Sequence, residues 1–228
     1  MKFTDKKLII FDLDGTLIDS SPDLALAVNQ MLKEVDRPTF TLDTIHHWVG
    51  NGATTLVKRA LSGASEIDPN LDENLFQNGL KIFLDFYAKN LAVETTTYPD
   101  VLETLNILKE RGYHLAMVTN KPFAFVAPIL SALKLEEFFE LILGGDSLER
   151  RKPDPLPLLH VCKTLNISLK DSLMIGDSKN DILAADAADI QSIGLSYGYN
   201  YGEDIERYRP DIVLDNFSDI LTTLIYGE

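Results

Sequence analysis

The sequence predicts an α/β protein in which a parallel sheet carries helices on both faces and an all-helical stretch is inserted. Three observations support this fold class. An unbroken apolar run at 8–11 indicates a strand buried on both sides, as in parallel sheets. From residue 100 onward, strand and helix patterns alternate, which is typical of a parallel sheet. From about 20 to 94 the pattern is helical throughout, which indicates an insert.

The first strand is predicted over residues 8–13, and Gly15 ends it because glycine permits a sharp turn. A serine and a proline at 21–22 are expected to begin the first helix of the insert. Apolar residues then recur at helical spacing as far as about Tyr87. Residues 95–100 break this pattern and return the chain to the sheet.

The second half of the chain is expected to alternate between strands and helices. Strands are predicted at 114–119, 141–143, 172–176, 191–194 and 211–214, and helices at about 100–111, 123–133, 155–165, 179–188 and 217–225. We therefore divide the chain into a core, residues 1–18 and 95–228, and a helical insert, residues 19–94.

Composition excludes several classes of protein. The net charge of −14 over 228 residues argues against nucleic acid as a partner, because that requires a basic surface. No apolar run approaches the roughly 20 residues that cross a membrane. The N-terminus leads directly into the first strand and leaves no room for a signal peptide. Cys162 is the sole cysteine and is expected to be a core thiol, which favours a cytoplasmic protein.

Polar side chains follow several of the predicted strands. Asp12 and Asp14 lie at the carboxyl end of the first, the strand at 114–119 ends in Thr119, and Asp177 follows the strand at 172–176. The carboxyl ends of parallel strands form the binding crevice of such sheets, so these groups should meet there. Asp181 lies four residues after Asp177 at a predicted helix start, so both can face the crevice, and Lys152 lies in the segment after the strand at 141–143. The expected set is Asp12, Asp14, Thr119, Lys152, Asp177 and Asp181.

This set of residues suits phosphoryl chemistry. Carboxylate oxygens favour Mg²⁺, whereas a hydroxyl and an ammonium suit phosphate oxygens. A carboxylate can also attack phosphorus and form an acyl phosphate. Taken singly, each residue has a plainer explanation: Asp177 and Asp181 as acids at a helix start, Lys152 on the surface, and Thr119 bonded to its own backbone. Their occurrence together at successive strand ends favours a functional site.

The same stretches resemble the haloacid dehalogenase superfamily of phosphohydrolases. The matching segments are 11–17 (FDLDGTL), 118–120 (VTN), 152–153 (KP) and 175–181 (IGDSKND), in the family's order. The resemblance implies a Rossmann-like parallel sheet core with an inserted α-helical cap domain after the first motif. That arrangement agrees with the insert inferred from the helical pattern.

Within this superfamily the chain resembles the bacterial phosphoglycolate phosphatases. The segments that carry the resemblance are 48–53 (WVGNGA), 59–61 (RAL), 119–122 (TNKP), 144–146 (GGD) and 198–203 (GYNYGE). It implies hydrolysis of 2-phosphoglycolate to glycolate and phosphate. Two segments, 150–151 (RR) and 188–190 (ADI), depart from the group's pattern, and neither contains a predicted catalytic residue.

The resemblance and the residues together suggest roles in a Mg²⁺-dependent mechanism. Asp12 is expected to attack phosphorus, and Asp14 to serve as acid and then base. Asp12, the backbone carbonyl of Asp14, and Asp177 would hold Mg²⁺. Asp181 would act through water or by orienting Lys152. Thr119, Asn120 and Lys152 would bind the phosphoryl group.

Selectivity is expected to come from the insert. Gly50 and Gly52 precede a helix start that could present N–H groups to an anion, and Arg59 or Lys58 could add a cation. The expected partner is a small phosphate ester, and the chain is expected to be a monomer or homodimer. Other phosphatases of small metabolites, a sugar-phosphate mutase and a non-enzymatic phosphoaspartate switch remain as alternatives.

Overall fold

The computed structural model describes residues 2–225 and consists of a six-stranded parallel sheet with helices packed on both faces. The strands are β1 Leu8–Phe11, β2 Ile18–Asp19, β3 Thr96–Thr97, β4 His114–Val118, β5 Leu141–Leu143, β6 Ser172–Gly176, β7 Gln191–Leu195 and β8 Ile212–Leu214. The large sheet has the order β5-β4-β1-β6-β7-β8, and each neighbouring pair is parallel. The predicted α/β fold class is confirmed.

Helices fill the connections between these strands. They are α1 Ser21–Glu34, α2 Leu42–His46, α3 Ala53–Ser62, α4 Glu73–Tyr87, α5 Val101–Glu110, α6 Phe123–Ala132, α7 Leu156–Leu165, α8 Lys179–Ala187 and α9 Ile220–Thr223. Within residues 2–225, no helix combines the length and the apolar character that crossing a membrane requires.

The central strand β1 separates two hydrophobic cores. Ile9 and Phe11 belong to the core that includes α5 and α6, whereas Leu8 and Ile10 belong to the core that includes α7 and α8. All four side chains are fully buried. Burial on both faces explains why this run is apolar without alternation.

The register of the sheet determines where the polar strand ends meet. Phe11 of β1 lies beside Met117 of β4 and Ile175 of β6. The three strands therefore end nearly level, and the residues that follow them emerge at one edge. Asp12 is the first residue after β1, and its N–H donates to the Ile175 carbonyl over 3.0 Å. This edge is the crevice in which open α/β sheets bind ligands.

The helical segment α1–α4 lies between two very short strands. Ile18 of β2 pairs with Thr97 of β3, and Asp19 with Thr96, in an antiparallel ladder. Helix α1 packs against the other three helices of the segment. The sequence analysis missed this ladder, because two residues are too few for a periodic pattern.

A buried carboxylate, Asp23 in the first turn of α1, ties the two ends of this segment together. Its Oδ2 accepts the N–H groups of Val93 and Thr95, both at 2.9 Å, and the Thr95 hydroxyl at 2.6 Å. Its Oδ1 accepts the Glu94 N–H at 3.0 Å. The chain that leaves the helices is therefore fixed to the chain that enters them.

The Asp23→Ala variant is expected to lose about 3 kcal/mol of unfolding free energy, because the buried N–H and hydroxyl of Thr95 would be left without an acceptor. Urea denaturation monitored by circular dichroism measures this loss. Asp85→Ala is the control, since Asp85 is exposed and pairs with Lys81 one turn away on α4. The control should change stability little. Equal losses in both variants would contradict the role of Asp23.

Some predicted boundaries were wrong. β1 ends at Phe11 rather than at residue 13, because the Leu13 carbonyl accepts the N–H groups of residues 16–18 and closes a turn. The final helix, predicted over 217–225, is a 3₁₀ turn at Phe217–Asp219 followed by the single turn α9. The chain then straightens because Ile225 N–H donates to the Phe3 carbonyl over 2.9 Å. Met1 and residues 226–228 of the predicted core lie outside the described residues.

The predicted core thiol is confirmed. Cys162 is buried in the core beside α8, and its Sγ lies 3.3 Å from the Ser172 hydroxyl. Burial raises the pKa of this thiol, so the thiolate is disfavoured. The residue therefore contributes packing rather than reactivity.

Candidate active site

Three buried carboxylates meet at the edge where β1 and β6 end. Asp12 follows β1, Asp177 follows β6, and Asp181 lies in the first turn of α8. One oxygen from each lies within 4.8 Å of the others. Asp177 is 1% exposed and Asp181 is fully buried. Such crowding of anions requires a counter-charge.

Lys152 supplies part of that charge. Its Nζ lies 2.9 Å from Asp12 Oδ1 and 2.6 Å from Asp181 Oδ1, and it donates to the Val118 carbonyl at 2.5 Å. Burial alone would lower the pKa of Lys152, but Asp12 and Asp181 raise it, and the result is a raised value. The ammonium is therefore charged while it lies between the two carboxylates.

The remaining oxygens of the cluster are fixed by neighbouring donors. Thr16 Oγ1 and the Tyr199 N–H each donate to Asp177 over 2.7 Å. Asp181 Oδ2 accepts the N–H and the hydroxyl of Ser178, which forms a capping box at the start of α8. A Cβ atom at Gly15 would lie 2.2 Å from Asp177 Oδ2, so only glycine fits there. The carboxylates are thus held in place before any ligand binds.

Asp14 lies apart from this cluster. Its Oδ1 accepts the Ser20 hydroxyl at 2.5 Å and the Lys121 ammonium at 2.8 Å. Because β1 ends before Asp12, the strand alternation that would align Asp12 with Asp14 does not extend to these residues. Both carboxylates nevertheless line the same cavity.

That cavity lies between the sheet edge and the helical segment, with a volume of about 30 Å³. In this measure one water molecule needs roughly 10–15 Å³, so the space suits only a small ligand. The lining residues from the sheet side are Asp12, Asp14, Thr119, Asn120, Lys121, Pro122 and Phe125, and those from the helical segment are Leu24, Val49, Gly50, Gly52, Ala53, Leu56, Phe83 and Tyr87.

The sequence model of one protein family, described as haloacid dehalogenase-like hydrolase, matches residues 9–195. The chain belongs to this family. It is 54% identical to a phosphoglycolate phosphatase of Colwellia psychrerythraea, over 98% of this chain and 99% of that protein. It is 49% identical to a phosphoglycolate phosphatase of Psychrobacter arcticus, over 97% and 96% of the two chains.

Solved structures agree with this assignment. A crystal structure described as a predicted phosphoglycolate phosphatase from Haemophilus somnus 129pt superposes with a TM-score of 0.90 at 44% identity. The match covers 96% of this chain and 97% of the other. The chain is therefore a phosphatase of the haloacid dehalogenase-like family, as the motifs at 11–17 and 175–181 indicated.

The charge balance of this hydrolase suits a divalent metal ion. Burial is the main reason why the pKa of Asp12 rises to about 7, and Asp181 adds repulsion while Lys152 opposes the rise. Burial, followed by Asp181 and Asp12, also raises the pKa of Asp177 well above its usual value. Asp12 Oδ1 accepts no hydrogen bond of regular geometry despite its ion pair. A cation among these oxygens would relieve the repulsion and complete their coordination.

Two further predicted residues, Thr119 and Asn120, line the cavity next to Asp12. The Thr119 hydroxyl accepts the Lys121 N–H at 3.1 Å and keeps its own proton for a ligand. The Asn120 amide nitrogen donates to the carbonyls of Lys152 and Gly50 at 3.0 and 3.3 Å. Asn120 therefore connects the loop of Lys152 to the helical segment.

Gly50 and Gly52 of the helical segment also line the cavity, where the sequence analysis expected them. The Gly50 carbonyl additionally accepts the Asn180 amide at 3.1 Å. Gly52 has a positive φ of 79°, and a Cβ atom there would lie 2.8 Å from the Asn120 carbonyl. The loop approaches the sheet edge this closely because these two positions carry no side chain.

Arg59 lies elsewhere, which corrects the expectation that its charge faces the substrate. Its Nη1 donates to the Trp48 carbonyl at 2.8 Å and its Nε to the Ser65 carbonyl at 2.9 Å. The guanidinium lies 5.0 Å from the centre of the Tyr201 ring. With its donors engaged by backbone, Arg59 supports the loop before Gly50 and is absent from the described cavity lining.

The sequence analysis missed Lys121, Tyr87 and Tyr199 as site residues. Lys121 lies inside the 119–122 stretch that carried a resemblance, but no rule of spacing assigns it to Asp14. Tyr199 Oη accepts the N–H of Ser20 at 2.8 Å and donates to Asp19 at 2.8 Å. It thereby fixes the start of the helical segment. These contacts span more than one hundred residues and leave no local pattern.

Proposed function

We propose that this phosphatase hydrolyses 2-phosphoglycolate to glycolate and phosphate through a phosphoaspartate on Asp12. The observation that carries the proposal is the position of Asp12, which lines the cavity, pairs with Lys152 and lies beside Asp177 and Asp181. Asp14 lines the same cavity. A substrate phosphoryl group in this cavity can thus meet both a nucleophile and an acid.

The reaction proceeds in two displacements. An Asp12 oxygen forms a bond to phosphorus while the ester oxygen leaves, and Asp14 donates the proton that this oxygen takes up. Asp14, now ionised, takes a proton from a water molecule that attacks the phosphoaspartate. The phosphorus–Asp12 bond breaks, and phosphate leaves with both carboxyl groups restored.

The other residues bind the phosphoryl group and balance its charge. Lys152, the Thr119 hydroxyl and the backbone N–H of Asn120 would bind the phosphoryl group. Asp12, the Asp14 backbone carbonyl and Asp177 would hold Mg²⁺, with Asp181 acting through water or by orienting Lys152. The ion would supply positive charge to the phosphoryl oxygens and the crowded carboxylates.

The helical segment, residues 19–94, serves in this proposal as a cap over the core of residues 1–18 and 95–228. The cavity between them would exclude bulk water from the phosphoaspartate and admit only small esters. The relatives named phosphoglycolate phosphatase support this choice of substrate. We place the reaction in the cytoplasm, which suits a buried sole thiol.

A substrate panel tests the proposal. With Mg²⁺, kcat/KM for 2-phosphoglycolate is expected to exceed that for hexose phosphates at least about tenfold, because the small cavity leaves less room for a hexose than for phosphoglycolate. Phosphate release gives the rates, and ³¹P NMR gives the products. Asp12→Asn is the control for contaminating phosphatases.

Each alternative function has its own outcome in this panel. A preference for hexose phosphates would overturn the assigned substrate. An isomeric sugar phosphate formed without phosphate release would indicate a mutase. An acyl phosphate that survives for minutes would indicate a switch rather than an enzyme.

A further inference from the structure

We infer that Lys121 and Tyr87 form a subsite for the second anionic group of the substrate, which is a carboxylate in phosphoglycolate. The inference rests on the proposed function and specifies how that function selects its substrate. It moves this role from Arg59 and Lys58, the cations suggested by the sequence, to the buried residues Lys121 and Tyr87.

The position of the subsite follows from the direction of the substrate. Phosphorus lies at Asp12, and the leaving oxygen lies at Asp14, which protonates it. The rest of the substrate must continue past Asp14, and the next polar group is Lys121, whose Nζ lies 2.8 and 3.1 Å from the two Asp14 oxygens. In phosphoglycolate one CH₂ group separates the leaving oxygen from the carboxylate, so the carboxylate reaches this position.

Lys121 is a buried and charged group. Its side chain is 3% exposed. Its ammonium forms a buried ion pair with Asp14, whose two oxygens lie 2.8 and 3.1 Å away. An ammonium carries three N–H donors, and Asp14 accepts at most two of them. The third N–H is left for the neighbouring Tyr87 side chain or for a ligand.

Tyr87 adds an unused hydrogen-bond donor. The residue is 1% exposed, and its Oη makes no hydrogen bond of regular geometry among the described residues, although it interacts with the Lys121 ammonium. The Lys121 ammonium lies 5.1 Å from the centre of its ring, which Phe83 and Phe125 contact at 5.7 and 5.3 Å between ring centres. Buried hydroxyl donors are rarely left without an acceptor, so this one is explained by a ligand that accepts from it. A carboxylate oxygen is such an acceptor.

The residues around Lys121 favour an anion at this end of the cavity over the rest of the cavity. Lys121 is the one basic side chain among the described lining residues, since Lys152 is paired behind Asp12 and Arg59 binds backbone. The wall is apolar, formed by Leu24, Val49, Leu56, Phe83 and Phe125. Low polarity strengthens the attraction between an ammonium and a carboxylate.

The test compares phosphoglycolate with its neutral amide, 2-phosphoglycolamide, which has nearly the same shape. Wild-type enzyme should prefer the carboxylate roughly ten- to a hundredfold in kcat/KM. In Lys121→Met this preference should disappear. Loss of the contact to Asp14 lowers the rates for both substrates alike, so the ratio reports only the recognition of the carboxylate.

Two further variants make the test independent of whether Lys121→Met folds. Tyr87→Phe keeps the ring and removes only the hydroxyl, and it should reduce the preference by roughly three- to tenfold. Lys58→Met is the matched control, because Lys58 is a half-buried lysine of the helical segment that lies over the Phe76 ring, outside the cavity lining. Its preference ratio should equal that of the wild type.

The outcomes separate this inference from the proposed function. If the wild type does not hydrolyse phosphoglycolate, the proposed substrate is wrong and the subsite with it. If the wild type hydrolyses the two esters equally well, the subsite is overturned and the proposed function stands. If the wild type prefers the carboxylate but both Lys121→Met and Tyr87→Phe retain that preference, the subsite is overturned and the proposed function stands. A lost preference in Lys58→Met would also overturn the subsite.

Discussion

Replacing Asp12 with asparagine is expected to lower kcat by roughly four to six orders of magnitude. The amide has nearly the shape of the carboxylate but lacks the anionic oxygen that bonds to phosphorus. The fold should survive. Because burial raises the pKa of Asp12 to about 7, a neutral group at this position relieves repulsion from Asp181 and Asp14. Tm measured in EDTA should therefore equal or exceed that of the wild type.

Trapping of the intermediate distinguishes a nucleophile from a residue that merely supports the site. Asp14→Asn is the matched variant, since it keeps the nucleophile and removes the acid and base. With a ³²P-labelled aryl phosphate, whose leaving group needs little protonation, Asp14→Asn should accumulate acid-stable label on Asp12. Asp12→Asn should carry none. Label on another residue, or substantial turnover by Asp12→Asn, would sink the assignment.

Removal of metal is expected to abolish activity. The cluster of Asp12, Asp177 and Asp181 holds three carboxylates against the single ammonium of Lys152. A phosphoryl group would add further negative charge, so it should not bind productively without a divalent ion. EDTA should therefore eliminate turnover and Mg²⁺ should restore it. Zn²⁺ should restore it poorly, because the site offers neither imidazole nor thiolate.

A ligand variant measures the same site without relying on turnover. Asp177→Ala should raise the Mg²⁺ concentration needed for half-maximal activity at least about a hundredfold, and should remove most of the rise in Tm that Mg²⁺ gives the wild type. Asp186→Ala is the control, because Asp186 is an exposed acid on the same helix, α8. Full activity in EDTA, or an unchanged Mg²⁺ dependence in Asp177→Ala, would refute the metal site.

The sequence alone was sufficient for the sheet and for the carboxylates at its edge. The apolar run at 8–11 and the alternating elements after residue 100 are local patterns, set by burial and by backbone periodicity. Parallel strands deliver the residues that follow them to one edge. Asp12, Thr119 and Asp177 could therefore be placed together before any coordinates were known, and the structure has all three at that edge.

Only the tertiary structure shows which residues form the part of the site away from the phosphoryl group. Arg59 was one of the cations expected to face the substrate, yet its guanidinium binds the Trp48 and Ser65 carbonyls. Lys121 carried no assigned role, yet it lies buried against Asp14. The β2–β3 ladder and the early end of the final helix likewise depend on partners far away in the chain.

The physical reason is the range of the interactions involved. Hydrophobic periodicity and turn preferences depend on a few neighbouring residues, so they can be recognised in the sequence directly. The direction in which a long cationic side chain points depends on which acceptors and aromatic rings the folded chain brings near it. For Lys121 those are Asp14, 107 positions away, and the ring of Tyr87. Only the packed structure brings them together, and with them the site that selects the substrate.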